Sequence, residues 1–284
     1  MEKNLASILT FLILTQLFSV ILAYNFLIFE VEVPSYEPFG NLSLSQASLN
    51  ALTLLVPVMI FTLIFILILK IFGISVFRIF AILISALLIF LLNPLFIFIL
   101  FSNFIPQAYS IIIAYALTFL LIAFVIYSSL KPKIWLSNIA SFFACSELGC
   151  LFAFMFSPPT LYLIPLFFLI YDIFAVFFGP LKLLVEELKK VRVRRTKKKK
   201  GMGLGIFIAN IGGFSIGSGD LVFYSLFASS SFLLGGLNGL ISMMLALNAG
   251  ILLNLLLVLK YKKAIPGLPI PLALGLIVLL ILGR

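Results

Sequence analysis

Three carboxyl groups sit where carboxyl groups are expensive. Glu147, Asp172 and Asp220 lie inside long apolar stretches, whereas Glu2, Glu30, Glu32, Glu37, Glu186 and Glu187 fall in connections or near the N-terminus. An acid at membrane depth costs several kcal/mol, so each of the three is a candidate functional group. Asp172 lies eight residues before Pro180, where its stretch ends, which at 1.5 Å per residue is about 12 Å of helix. Asp220 reaches a matching depth from the same side if its helix begins near Gly212 or Gly213. Two carboxyl groups a few ångströms apart share one proton, because both cannot ionise cheaply. The ionised group can take a proton from water while the neutral one donates to a carbonyl oxygen, which is general acid–base peptide hydrolysis. The same pair could instead bind a cation in a transporter or form a buried structural hydrogen bond. Glu147, beside Ser146 and near Gly149, reads as a hydrogen-bonded acid between helices or as a member of a proton path.

Other chemistries are removed by what the chain lacks. It has no histidine, so Ser-His catalysis, histidine zinc sites and histidine relays are excluded. Its two cysteines, Cys145 and Cys150, are too few for a zinc cluster or a disulfide framework and read as buried thiols packing as small hydrophobes. Of 284 residues 64% are hydrophobic and 10% charged, with a mean hydropathy of +1.32. A soluble domain carries about 25% charged residues. A soluble enzyme is therefore excluded, and so is an ordinary nucleic-acid binder, despite a net charge of +10.

The elements that must hold these acids are membrane spans, each needing about 20 apolar residues. Nine stretches read as spans, at 5–29, 49–69, 79–101, 108–128, 134–155, 160–179, 214–233, 240–259 and 269–283, the last of them short. The first is too long for a signal-peptide core and reads as a retained span. All but Arg284 of the 19 Lys and Arg fall on one side of this alternation. Positively charged connections stay cytoplasmic. The expected fold is thus an all-α membrane protein with nine transmembrane helices, its N-terminus cytoplasmic and its C-terminus outside. It divides into 1–180, six spans carrying Asp172; 181–213, a basic loop and Gly-rich segment; and 214–284, three spans carrying Asp220. The run Lys189–Lys200 reads as a solvated topogenic loop, with anionic lipid as the alternative partner. Residues 203–211 read as an apolar extended segment, because the glycines of 201–219 disfavour a continuous helix. Asn41-Leu42-Ser43 matches a glycosylation sequon, a pattern common by chance.

The local sequences narrow the choice. Asp172 sits in Tyr171-Asp172, Asp220 ends Gly217-Ser218-Gly219-Asp220, and Pro266-Gly267-Leu268 precedes the last span. These elements, in this order, resemble the presenilin and signal peptide peptidase family of GxGD intramembrane aspartyl proteases. The inferred orientation, and the compact chain, are similar to the archaeal presenilin homologues. The resemblance implies that Asp172 and Asp220 are the catalytic pair. It also implies that Tyr171, Gly217, Gly219, Pro266, Gly267 and Leu268 shape substrate binding. It implies no metal or organic cofactor. Its partners would be transmembrane protein or peptide substrates and membrane lipids, with room for a homo-oligomer and no nucleic acid, in the cell membrane of a prokaryote. One departure stands out, since the family's Pro-Ala-Leu reads Pro266-Gly267-Leu268 here. Gly217 and Gly219 would let backbone and carboxylate approach. Pro266 and Pro269 would loosen the start of the last span and free backbone for strand pairing by an unwound substrate, with 203–211 as the other pairing edge. A preflagellin or prepilin peptidase also uses a GxGD aspartate, but the proline motif does not fit it. A proton-coupled or cation transporter and a non-catalytic scaffold are the readings from other classes.

Overall fold

The computed structural model describes residues 2–41, 43–102, 104–130, 134–177, 206–261 and 266–283. The basic run and residues 203–205 lie outside them. Seven helices within the described residues are long and apolar enough to cross a membrane. The elements are α1 (Glu2–Ile28), α2 (Leu44–Ser102), α3 (Gln107–Leu130), α4 (Ile134–Met155), α5 (Pro158–Phe177), a hairpin of β1 (Ile208–Ile211) and β2 (Phe214–Gly217), α6 (Ser218–Tyr261) and α7 (Pro269–Leu282).

Two long helices are each broken at one glycine. In α2 it is Gly73, with φ 75° and ψ −179°, and in α6 it is Gly236, with φ 59° and ψ −145°. A side chain at such positive φ is strained, so glycine allows a change of direction within a single residue. The sequence places connections around both points, at 70–78 and 234–239, and the structure contracts each to a kink. A second difference lies at the seventh expected span. Phe214–Gly217 is a strand, and the helix begins only at Ser218. The apolar run Phe-Ser-Ile-Gly reads equally well as helix or strand, and the glycine pair before it decides for a hairpin. Gly212 and Gly213, at φ 59° and 86°, make the two-residue turn that matches strand twist.

The chain forms two compact units. One comprises Met1–Pro34, Arg78–Met155 and Met202–Leu245. Here α1 and α3 pack on α4, and β1 lies against α4 and α1. Phe26, Phe96, Ile99, Leu22 and Cys150 form one apolar cluster. Ile89, Leu121, Val125, Ala144 and Ile206 form another. Lipid removes the hydrophobic drive between helices, so small residues and side-chain hydrogen bonds join them. The Ser19 hydroxyl donates to Ser225 O at 2.9 Å and is hydrogen-bonded to the Ser229 hydroxyl. The Ser146 hydroxyl donates to Thr15 O at 3.1 Å. At Gly149 the helices touch, because a Cβ there would lie 2.3 Å from Ser225 Cβ and 2.7 Å from Leu226 N.

The second unit comprises Ser35–Phe77, Phe156–Gly201 and Ala246–Arg284. In it α5 packs on α7, and Gly250 admits α7 so closely that a Cβ would lie 2.7 Å from Pro271 Cα. Asn50 ties the 35–43 connection to α2, accepting from Phe39 N at 3.1 Å and donating to Gly40 O at 2.8 Å. The Glu37 carboxylate accepts from Ser157 N at 2.9 Å, just before α5 begins.

Candidate active site

Asp172 sits near the end of α5 and is 8% exposed. Its Oδ2 accepts the Leu268 N–H at 3.1 Å. That donor is available for a local reason. Leu268 is the N-cap of α7 and has no helical partner for its N–H, and Pro269 follows with none to offer. The N-cap side chain is apolar and makes no capping bond, so the carboxyl group of another helix does this work from a distance in sequence. A negative group is also favoured at the positive end of a helix.

The Pro266-Gly267 strap is held from its other side. Asn254 Nδ2, on α6, donates to Pro266 O at 2.9 Å and to Gly267 O at 3.1 Å. Pro266 and Leu268 are buried, and Gly267 is half-buried. Asn254 was not among the residues expected from sequence. Its one visible sign is a polar amide within the leucine-rich run Leu252–Leu257. Tyr171 faces elsewhere, its hydroxyl donating to Thr62 Oγ1 on α2 at 3.1 Å.

Asp220 lies in the first turn of α6, immediately after β2, and is half-buried. The hairpin before it is antiparallel, with Ile208 opposite Gly217 and Ile211 opposite Phe214. Asn138 on α4 clamps β1 in both senses. Its Nδ2 donates to Asn210 O at 2.8 Å and its Oδ1 accepts from Asn210 N at 2.9 Å. Ser141 donates to Ile206 O at 3.0 Å, and Ile206 N donates to Ser85 Oγ at 3.2 Å. The Ser218 N–H closes on Phe207 O at 3.0 Å. Asn138, Ser141 and Ser85 are thus further positioning residues that sequence reasoning missed.

The two motif glycines behave unlike Gly149. A Cβ on Gly217 would lie 3.8 Å from Asp220 Oδ2, an ordinary contact, and one on Gly219 would meet nothing within 4 Å. Packing within the described residues therefore leaves room for a side chain at both. Gly217 and Asp220 come together in one unit, and Asp172, Pro266, Gly267 and Leu268 in the other. Among the described residues no group of three His, Cys, Asp or Glu could hold a metal ion.

Comparison with known proteins bears on the same segments. The presenilin family model matches residues 189–283, which include Asp220 and the Pro266-Gly267-Leu268 strap. Presenilin-B of Dictyostelium discoideum is 35% identical over 112 residues, 38% of this chain. The matched part spans 22% of that relative's length. Among solved structures, a presenilin family intramembrane aspartate protease in one crystal form aligns with a TM-score of 0.59 and 17% identity, covering 99% of this chain and 98% of that one. A second crystal form aligns with a TM-score of 0.55 and 17% identity, covering 97% and 95%. At that identity the likeness is one of fold. In sequence over its C-terminal third, and in fold over nearly its whole length, the chain resembles the presenilin family.

Proposed function

We propose that this chain is an intramembrane aspartyl endopeptidase that cuts transmembrane segments of other membrane proteins. The observation that carries the reading is the bond from the Leu268 N–H to Asp172 Oδ2, which joins the Pro266-Gly267-Leu268 strap to a motif aspartate. Asp172 and Asp220 act as a pair sharing one proton. The ionised member removes a proton from water, and the resulting hydroxide attacks the scissile carbonyl carbon. The neutral member donates to the carbonyl oxygen. The tetrahedral intermediate collapses when the amide nitrogen takes a proton and the C–N bond breaks. The protons belong to the pair, so acid and base are roles of the dyad rather than of either residue.

A substrate helix must unwind before it is cut, since its amides are already bonded. The unwound stretch would pair with an exposed strand edge. The hairpin register and the Asn138 clamp favour β2 for this, because Asn138 takes the outward backbone groups of Asn210 on β1. In that register Ser215 and Gly217 turn their backbone groups toward the other edge. The edge thus moves from the expected 203–211 to Phe214–Gly217. Counting the breaks at Gly73 and Gly236 as reversals, and α7 as a span, the chain crosses the membrane nine times.

Cleavage of a purified single-span substrate by wild type, Asp172→Ala and Asp220→Ala tests the proposal. Either substitution lowers the rate at least about 100-fold, the usual worth of a general acid or base, with the melting temperature retained. The wild-type rate is bell-shaped in pH, because the active form carries one proton between two groups. Activity surviving in either variant, or a rate flat with pH, would overturn the mechanism.

A further inference from the structure

Two consecutive peptide groups of the strap are gripped from both sides. The first carries Pro266 O and the Gly267 N–H, the second Gly267 O and the Leu268 N–H. A trans peptide group is planar and points its oxygen and its hydrogen in opposite directions. No described peptide bond is cis. On one side Asn254 Nδ2 donates to both oxygens, at 2.9 Å and 3.1 Å. A side-chain amide has two hydrogens on one nitrogen, one for each carbonyl. On the other side both N–H groups reach the Asp172 carboxyl group, that of Leu268 at 3.1 Å from Oδ2. Asn254 on α6, the strap and Asp172 on α5 all belong to the second unit.

Glycine at 267 leaves rotation about its own bonds nearly free, and Pro269 has no N–H with which to anchor the strap. Turning either plane over would carry its N–H away from Asp172 and present a carbonyl oxygen to the carboxyl group instead. Packing gives no reason for an asparagine at 254. Its Oδ1 is buried without a partner among the described residues, a cost that a leucine of the same branching would not carry. We propose, on the footing of the proteolytic function above, that Asn254 is a positioning residue for it, holding two peptide planes so that both their N–H groups face Asp172. Successive N–H groups aimed at one point form a nest that favours a carboxylate. A bond donated to a carbonyl also polarises the N–H of the same plane, so Asn254 strengthens what Asp172 receives as well as aiming it.

Two measurements on the whole protein in detergent test this. One is the infrared carboxyl absorption of Asp172, identified as the band lost in Asp172→Ala. The other is cleavage of a single-span substrate, with kcat and KM separated. Asn254→Leu removes both donors. It is expected to shift the Asp172 band and to lower kcat about tenfold with KM unchanged, the worth of one or two ordinary hydrogen bonds. Asn254→Asp keeps the shape and can offer at most one proton. It is expected to move both measurements the same way, and it carries the test if Asn254→Leu does not fold. Asn50→Leu controls for lost stability, since Asn50 is buried in the same unit and binds the backbone of Phe39 and Gly40 instead of the strap. It is expected to lower the melting temperature and leave the Asp172 band and kcat in place. An unmoved Asp172 band in the Asn254 variants, or an equal loss of kcat in Asn50→Leu at an equal drop in melting temperature, would overturn the proposal. A wild type that cuts no substrate would overturn the proteolytic function instead, and the infrared band would still decide whether Asn254 aims the strap at Asp172.

Discussion

The backbone amides of Leu268 and Gly267 both reach the Asp172 carboxyl group, and proline at 268 can remove the first of them with little strain. Leu268 has φ −83°, near the value that proline imposes, and its N–H bonds only to Asp172 Oδ2 among the described contacts. Leu268→Pro should therefore leave α7 in place and lower cleavage about tenfold or more, the worth of a hydrogen bond to a charged group. Leu268→Met, which keeps the amide, should retain the rate, and comparing kcat for the two variants checks this. Gly217 allows a parallel separation of folding from activity. A methyl group there meets Asp220 Oδ2 only at 3.8 Å, so Gly217→Ala should leave the melting temperature unchanged. If the strand edge at Gly217 receives substrate, the same variant loses activity, read as a rise in KM. At this scale Asp172 and Asp220 stand out as candidates because charge is so scarce around them. Asn254 and Asn138 do not, because an asparagine among the other polar residues of a helix shows nothing of the backbone it will grip until the chain has folded.

Among the elements, hydropathy located the spans well and their ends less well. Apolar runs mark every long helix, because lipid demands them along the whole length. The same runs hide β2, since Phe214–Gly217 is as apolar as the helix it precedes. The breaks at Gly73 and Gly236 fall within the expected connections, and what sequence does not show is that one residue at positive φ suffices for each. Contacts between helices depend instead on the smallest residues, and Gly149 gives the sharpest case. A Cβ at that position falls 2.3 Å from Ser225 Cβ and 2.8 Å from Val222 O, so backbone rather than a flexible tip would have to move. Gly149→Ala should destabilise the protein by about 1–3 kcal/mol, seen as a lowered melting temperature in detergent. Gly219→Ala, with nothing within 4 Å, should be neutral or slightly stabilising in the same assay.

For the whole molecule, charge carries the strongest expectation. Basic residues gather on alternate connections, and the proposed nine crossings put the two ends of the chain on opposite faces. An epitope at the C-terminus should react with antibody on intact cells or spheroplasts. One at the N-terminus should react only after permeabilisation. Both epitopes reacting together would require an even number of crossings. The presenilin resemblance was legible from three short motifs, whereas the division into two compact units was not. Each unit draws on three separate stretches of chain, and no local pattern announces which stretches will meet.

The junction at Gly217 and Ser218 joins these scales. β2 ends at one and α6 begins at the other, with Asp220 two residues further on. Strand and helix therefore follow one another with no loop between them, so a peptide paired with the strand lies within a few residues of the carboxylate. A passing lipid chain offers no amides and cannot pair with the strand, while an unwound peptide does so at every second residue. On the proposed mechanism the guest itself completes the alignment of the acid, so hydrolysis waits for a polypeptide paired with β2 and water alone does not start it.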